Sequence, residues 1–347
     1  MSVATSDPLA LDGEALGAWL SRQSPEFSGP ISLKRFEGGQ SNPTYLLACG
    51  ERRFVLRKKP PGPLLPSAHL IEREYRVISA LCGAGFQVPR PVLICEDGSV
   101  IGTAFYLMEL VSGRQFWDPA LPDCAPAERG ALYDAMNATL ARLHGVDWRA
   151  AGLADFGKPK NYLARQIARW RRQYESARLA PFPDMDRLIA WLEANLPDEA
   201  SDAPVAIVHG DFRIDNMIFD AREPKVLAVL DWELATLGHP LADLAYNCLP
   251  FRLPSRIAGR GVAGLDLASL GLPSEAAYVE SYRRKAGCGP IANWPFFVAF
   301  AAFRVASILF GVRARARQGN AASSNAEEIG GLADVYAEIG WRAAQEG

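Results

Sequence analysis

The sequence predicts an α+β chain in which a small β-rich lobe precedes a larger, mainly helical one. Three observations carry that reading. Residues 28–112 read as three strands, one helix and two strands, whereas residues 113–347 place apolar residues mostly at helical spacing. The helical part is broken by a β island at Val205 to Glu233. A chain of 347 residues also exceeds what one compact core accommodates.

Asp12 to Gln23 sets Leu16, Trp19 and Leu20 on one helical face, so residues 1–27 read as an N-terminal helical extension. "ISLKRFEGGQSNPTYLLAC" then gives two strands around a turn at Gly38 and Gly39, and "ERRFVLRKK" a third. The four prolines of "KKPPGPLLPS" end it, since proline suits neither a helix interior nor a sheet ladder. From His69 to Cys82 the apolar set Leu70, Ile71, Tyr75, Ile78 and Leu81 forms one helical face, closed by Gly83 and Gly85. "PVLICEDGSVIGTAFYLMELV" reads as a hairpin with an Asp97-Gly98 turn, and Ser112 and Gly113 as a hinge.

Beyond the hinge, helices are predicted over Pro126 to His144, Asn161 to Ala177, Asp184 to Leu196, from Leu241, and over Ser274 to Ala286, Trp294 to Arg317 and Ala326 to Ala344. Trp294 to Arg317 contains Arg304 and follows a broken entry, which favours a buried core helix over a membrane span.

The β island holds an unusual concentration of polar groups. "PVAIVHGDFRIDNMIFD" is a strand, a polar loop from His209 to Asn216 and a second strand; "REPKVLAVLDWE" is a turn and a third strand ending at Asp231. Pairing about Glu223 and Pro224 sets residue 218 opposite 229 and Asn216 opposite Asp231. An amide oxygen and a carboxylate at one hairpin base make a hard-oxygen site of the kind Mg²⁺ accepts, with water and phosphates completing the shell. Asp211, five residues earlier, could receive or orient a hydroxyl proton.

His209, Gly210, Asp211 and Asn216 resemble the H-x-D-x-x-x-x-N catalytic loop of the aminoglycoside phosphotransferase and choline kinase family, relatives of the protein kinases. Leu230, Asp231, Trp232 and Glu233 resemble that family's (I/L)DWE. The resemblance implies a protein-kinase-like bilobal fold with domains at 28–112 and 113–347. It also implies ATP and Mg²⁺ as cofactors, Asp211 as catalytic residue, Asn216 and Asp231 as metal ligands, and His209 and Glu233 as supports of the loop. The tripeptide Asp155, Phe156, Gly157 precedes that loop without a strand before it, and reads as an ordinary loop.

By the same resemblance, Gly39 and Ser41, with Gly38, would lie over the phosphates, although an ordinary hairpin explains that turn as well. Arg57 would meet the α and β phosphates, where many relatives have lysine, with Glu74 as its partner; a surface arginine and a solvated glutamate are the plainer reading. Adenine would meet the backbone at Glu109 and Val111.

The acceptor is less defined. Arg304, Arg313, Arg315 and Arg317 follow one another along a helix preceded by Arg283, Arg284 and Lys285, which favours an anionic acceptor over a cationic one, with solvated helix faces an equal alternative. "FVLRKKPPGPLLPSAHLIEREYRVISAL", "DFGKPKNYLARQIARW" and "GVRARARQGNAASS" resemble the kinase-like domain fused to some acyl-CoA dehydrogenases. That resemblance implies a hydroxyacyl-CoA acceptor of the 4-hydroxy type, with Lys58 to Pro66, Arg304, Arg313 and Arg315 as candidate contacts. An amino alcohol or aminoglycoside acceptor, and a nucleotide-binding module without turnover, stay open as alternatives.

Bulk composition limits the partners. A net charge of −2 predicts neither nucleic-acid nor anionic-membrane binding. Six dispersed cysteines without a CxxC pair predict free thiols rather than a zinc site or disulfide framework. "MSVATSDPLALDGEALGAWL" lacks the basic start of a secretion signal, so a cytoplasmic protein is expected.

Overall fold

The structure is a computed structural model that describes residues 11–36, 42–60, 70–178, 180–198, 204–257, 259–318 and 326–347. The turn at Gly38, Gly39 and Ser41 and residues 61–66 of the proline-rich segment lie outside these. The chain divides into two compact units, residues 1–112 and 113–347.

The first unit opens with helix α1 (Gly13–Gln23), whose N-cap Asp12 accepts the N–H of Ala15 at 2.9 Å. Strands β1 (Ile31–Arg35), β2 (Thr44–Cys49) and β3 (Arg52–Lys58) follow, then helix α2 (Ile71–Gly83) and strands β4 (Pro91–Cys95) and β5 (Phe105–Glu109). The five strands form one antiparallel sheet in the order β1-β2-β3-β5-β4. Residues 11–27 are not an appendage. Leu16, Leu20 and Phe27 are buried in one core with Tyr45, Leu47, Phe54, Leu56, Phe105 and Leu107, because alternate strand residues present an apolar face that α1 covers. The hairpin predicted at Asp97-Gly98 is wider than expected: β4 and β5 pair, but residues 96–104 connect them, with Asp97 accepting the Ser99 N–H and Gly102 at φ +82°.

The second unit contains helices α3 (Pro126–His144), α4 (Tyr162–Ala177) and α5 (Pro183–Ala194). Strands β6 (Ala206–Val208), β7 (Met217–Phe219), β8 (Val226–Val229) and β9 (Thr236–Gly238) come next. Helices α6 (Pro240–Cys248), α7 (Leu267–Leu270), α8 (Glu275–Ala286), α9 (Trp294–Arg317) and α10 (Ala326–Gln345) complete it. Helix α9, at 24 residues and a mean hydropathy of 1.9, is long and apolar enough to cross a membrane; 78% of its apolar window is buried inside the unit. Its Phe296, Phe300, Phe303 and Phe310 share a core with Trp170, Leu188, Leu192 and Ala337 from α4, α5 and α10. Gly340 lets α10 approach closely, since a methyl there would meet Leu188 at 2.6 Å.

Strand β9 was not predicted. It pairs with β6 (Ile207 opposite Leu237), and its Leu237 leans over Gly157, so the Asp155-Phe156-Gly157 loop, whose Phe156 is buried, braces this small sheet. All six cysteines are free. At the entry to the unit, Arg114 and Phe219 exchange two backbone hydrogen bonds of 2.8 Å, and a Cβ on Gly113 would fall 2.1 Å from the Phe219 carbonyl oxygen.

Candidate active site

The loop between β6 and β7 is fixed from below by buried polar groups. Asp243, on α6, accepts the backbone N–H of His209 at 2.5 Å and of Gly210 at 2.8 Å. Burial pushes the Asp243 carboxyl up, but His144, His209 and the Gly210 N–H outweigh it and leave the group below the usual carboxylate range. His144 lies 3.5 Å from Asp243 through Nε2 and 2.6 Å from the Tyr282 hydroxyl through Nδ1. Gly210 takes φ +83° and would place a Cβ 2.9 Å from the Leu234 carbonyl oxygen, so only glycine fits.

His209 is fully buried and its tautomer follows from its partners. The Asp211 N–H can only donate, so Nδ1 accepts it at 3.1 Å and Nε2 donates to the Leu230 carbonyl at 2.8 Å. With both nitrogens engaged, the ring braces the backbone. Trp232 stacks 4.6 Å from it and donates its indole N–H to Val229 at 2.9 Å.

Two hydrogen-bond donors and one ion pair orient Asp211. Asn216 donates Nδ2 to its Oδ2 and to its backbone oxygen, both at 2.9 Å. The Tyr246 hydroxyl, on α6, donates to Oδ1, and Arg213 Nε lies 3.1 Å from the same oxygen. Arg213 also reaches Asp215 at 3.1 Å. Burial opposes the charge on Arg213, yet Tyr246, Asp211 and Asp215 together raise its pKa, whereas burial raises that of Asp215 against the pull of Arg213. The Asp211 side chain stays 21% exposed, enough to meet a ligand.

The hairpin register differs from expectation by one residue. Met217 faces Val229 and Ile218 faces Ala228, strand β8 ends at Val229 rather than Asp231, and the Leu230 N–H donates to the Asn216 oxygen at 2.8 Å. The turn centres on Arg222 and Glu223, with the Asp220 N–H on the Lys225 oxygen, and a bulge between Ile218 and Phe219 recovers half of the shift. Asp231 therefore stands one position beyond the pairing, at φ +64° and ψ +64°, a left-handed conformation costing a non-glycine residue about 1–3 kcal/mol. Glu233 follows in the 3₁₀ turn Trp232–Leu234. Both hydrogen bonds of the Asn216 side chain use its nitrogen, leaving Oδ1 as a lone acceptor. An amide oxygen with a partly exposed carboxylate nearby in the chain fits a hard cation; among the described residues no three His, Cys, Asp or Glu side chains converge.

In the first unit, Arg57 and Glu74 are both buried and meet at 2.7 Å, Nη1 to Oε1, rather than lying on a surface. Glu109 pairs with Arg90 at 2.5 Å, whose hydrogen bond holds its carboxyl below the usual range, and its N–H donates to the Arg90 oxygen. The Leu110 N–H donates to the Arg53 oxygen at 3.4 Å, just before Val111.

Several of the basic residues read as acceptor contacts or their neighbours are paired with acids. Arg313 is paired to Asp334 at 3.0 Å, Arg283 and Arg284 share Glu280, and Lys285 reaches Asp134. Arg315 and Arg317 are exposed, while Arg304 is buried between the rings of Trp170 and Tyr246. Asp334 comes from the following helix and Asp134 from α3, whereas Glu280 lies one turn back on α8 itself. Asp243, Tyr246 and Arg213 went unrecognised as parts of the site, since "ADLAY" reads as an ordinary amphipathic helix.

The sequence pattern of the phosphotransferase enzyme family matches residues 32–278. The chain is 48% identical over 315 residues to acyl-CoA dehydrogenase family member 10 of Mus musculus, covering 90% of this chain and 29% of that protein. It is 45% identical over 336 residues to family member 11 of Gallus gallus, covering 95% and 43%. It thus spans less than half the length of these relatives. A crystal structure from Ralstonia eutropha, provisionally described as an aminoglycoside phosphotransferase, superposes with a TM-score of 0.87 at 46% identity, covering 97% of this chain and 99% of that one. Choline kinase from Cryptosporidium parvum shares the fold at a TM-score of 0.64 and 12% identity, over 96% of each chain. With its mixed helix and sheet and its loop from His209 to Asn216, the chain belongs to the phosphotransferase enzyme family.

Proposed function

We propose that the protein transfers the γ-phosphoryl group of ATP to a hydroxyl of a hydroxyacyl-CoA, of the 4-hydroxy type. The observation that carries phosphoryl transfer is Asp211: a carboxylate held by Tyr246, Arg213 and Asn216 on a rigid loop, still open to an alcohol. In this reading Asp211 accepts the hydrogen bond of the acceptor hydroxyl, aims its oxygen and takes its proton as the phosphoester forms. Asn216 Oδ1 and Asp231 would hold Mg²⁺, which when bound neutralises phosphate charge. Arg57, fixed by Glu74, would meet the ATP phosphates together with Gly39 and Ser41, and the backbone of Glu109 and Val111 would meet adenine.

Two findings support the acyl-CoA acceptor. The relatives aligned along nearly the whole chain are named acyl-CoA dehydrogenase family members. The groups around Asp211 include Arg213 and, one ring beyond Tyr246, Arg304, which suit an anion better than an ammonium. We place the reaction in the cytoplasm.

Phosphorus NMR of a mixture of ATP, Mg²⁺ and 4-hydroxyacyl-CoA tests the reading. A new phosphoester resonance is expected, and Asp211→Asn abolishes it by about 10²–10⁴-fold without unfolding the chain. Phosphorylation of choline or kanamycin in place of the thioester would replace this acceptor with an amino alcohol or aminoglycoside. No transfer to any of the three would leave a nucleotide-binding module.

A further inference from the structure

The helical unit holds two guanidinium groups that lack an acid. Arg304, on α9, is 7% exposed, and Arg169, on α4, is exposed. Both lie against the same indole, their Cζ atoms 5.6 and 4.9 Å from the Trp170 ring centroid. Among the described residues neither makes a hydrogen bond or an ion pair, although Arg171, Arg178, Arg213, Arg252 and Arg313 each reach a carboxylate.

Arg304 is largely withdrawn from water while Arg169 stays exposed, so the desolvation cost falls on Arg304. Contact with aromatic faces returns only about 1–2 kcal/mol. The two cations also repel one another: burial first, and then the charge of Arg304, lower the pKa of Arg169. Trp170 cannot help further, since its indole N–H is already donated to Gln166 at 3.1 Å.

The position of the pair says what it could hold. Arg304 Cζ stands 5.4 Å from the ring of Tyr246, and the hydroxyl of that ring donates to Asp211. Arg304 Nη2 lies 3.3 Å from where a Cβ on Gly210 would stand. Arg304 is thus about one tyrosine ring away from the carboxylate assigned to the acceptor hydroxyl, and Arg169 adjoins it across the Trp170 ring. A group bound there would belong to the same acceptor molecule, a few bonds along from the reacting oxygen. A cationic acceptor would meet two like charges.

We propose that Arg304 and Arg169 bind the carboxyl-derived oxygen of the acceptor, a carboxylate or a thioester carbonyl, and so select acyl acceptors over amino alcohols. The assignment rests on the reading of Asp211 as the residue that receives the acceptor hydroxyl.

Isothermal titration calorimetry in saturating ADP, which donates no γ-phosphoryl group, separates binding from turnover. The probes are 4-hydroxyhexanoyl-CoA and free 4-hydroxyhexanoate. Arg169→Gln and Arg304→Met are expected to weaken at least one probe by tenfold or more, Arg304→Lys by less, with the KM for ATP unchanged. Loss confined to the thioester identifies the carbonyl as the ligand, and loss confined to the free acid identifies the carboxylate. Because Arg169 is exposed, Arg169→Gln keeps the test decisive should Arg304→Met fail to fold. Wild-type protein that binds neither probe, or an Arg169→Gln variant that binds both within twofold of wild type, overturns the assignment. Tight binding lost in the variants but with no phosphoester formed from ATP would sink the phosphotransfer reading and leave this site standing.

Discussion

Oδ1 of Asp243 accepts the backbone N–H of Gly210 at 2.8 Å, so a side chain on α6 sets the path of the loop that carries Asp211. Its other oxygen takes the His209 N–H. In Asp243→Asn the new NH₂ must face one of these donors, leaving a buried N–H without an acceptor. The variant should lose about 2–4 kcal/mol in urea unfolding. Turnover should fall even at temperatures where it remains folded, which activity measured well below its Tm would show.

Arg57 and Glu74 form a buried ion pair, so removing either takes a close opposite charge from the other. Arg57→Met and Glu74→Leu should each cost about 3–5 kcal/mol, and the double variant less than the sum of the two. Equilibrium denaturation of all four proteins gives the coupling. Arg57→Lys should retain most of the stability while raising the KM for ATP, because an ammonium cannot replace a bidentate guanidinium.

Asn216 offers one free oxygen, whereas its nitrogen orients Asp211. Asn216→Ala should therefore weaken Mn²⁺ binding in the presence of ATP, read by electron paramagnetic resonance, and also lower kcat. Asp231→Asn should weaken Mn²⁺ while leaving the Asp211 hydrogen bonds in place. Unchanged Mn²⁺ affinity in both would remove these residues from the metal site.

His239 should make the fold acid-sensitive. Burial, and secondarily the charge of His144, push its pKa down to about 4, and its Nδ1 accepts the Leu241 N–H at the start of α6. An unfolded histidine binds its proton near pH 6.5. Between that value and 4 the unfolded chain holds more protons, so stability present above pH 6.5 is lost as the pH falls. The loss between pH 7 and 5 should be about 2 kcal/mol by urea titration. His239→Asn, which can still cap the helix, should flatten that slope.

Much of this was legible in the chain because local pattern and tertiary structure agree. The helices at Pro126–His144 and Trp294–Arg317 fall where their apolar spacing puts them, and the polar loop from His209 to Asn216 occupies the predicted gap between strands. Other features depend on partners remote in sequence. Asp134 meets Lys285 from α3 and Asp334 meets Arg313 from the following helix, neither of which composition reveals, whereas Glu280 stands one turn before Arg283 and Arg284, a pairing that helical spacing does reveal. The turn closes one residue earlier than Glu223 and Pro224 suggest and a bulge restores only part of the shift, so Asp231 falls out of register, and alternation alone carries no signal for either. Strand β9 is three residues long, too short to show a period.

The tight joint at Gly113 has a practical meaning for chimeras. Any side chain there would push on Phe219, three residues past Asn216, and the paired backbone of Arg114 and Phe219 would open with it. Exchanging the amino-terminal unit between homologous chains therefore has a natural seam just before residue 113. A crossover one or two residues later would carry off half of the edge pairing of the hairpin and misalign its polar end.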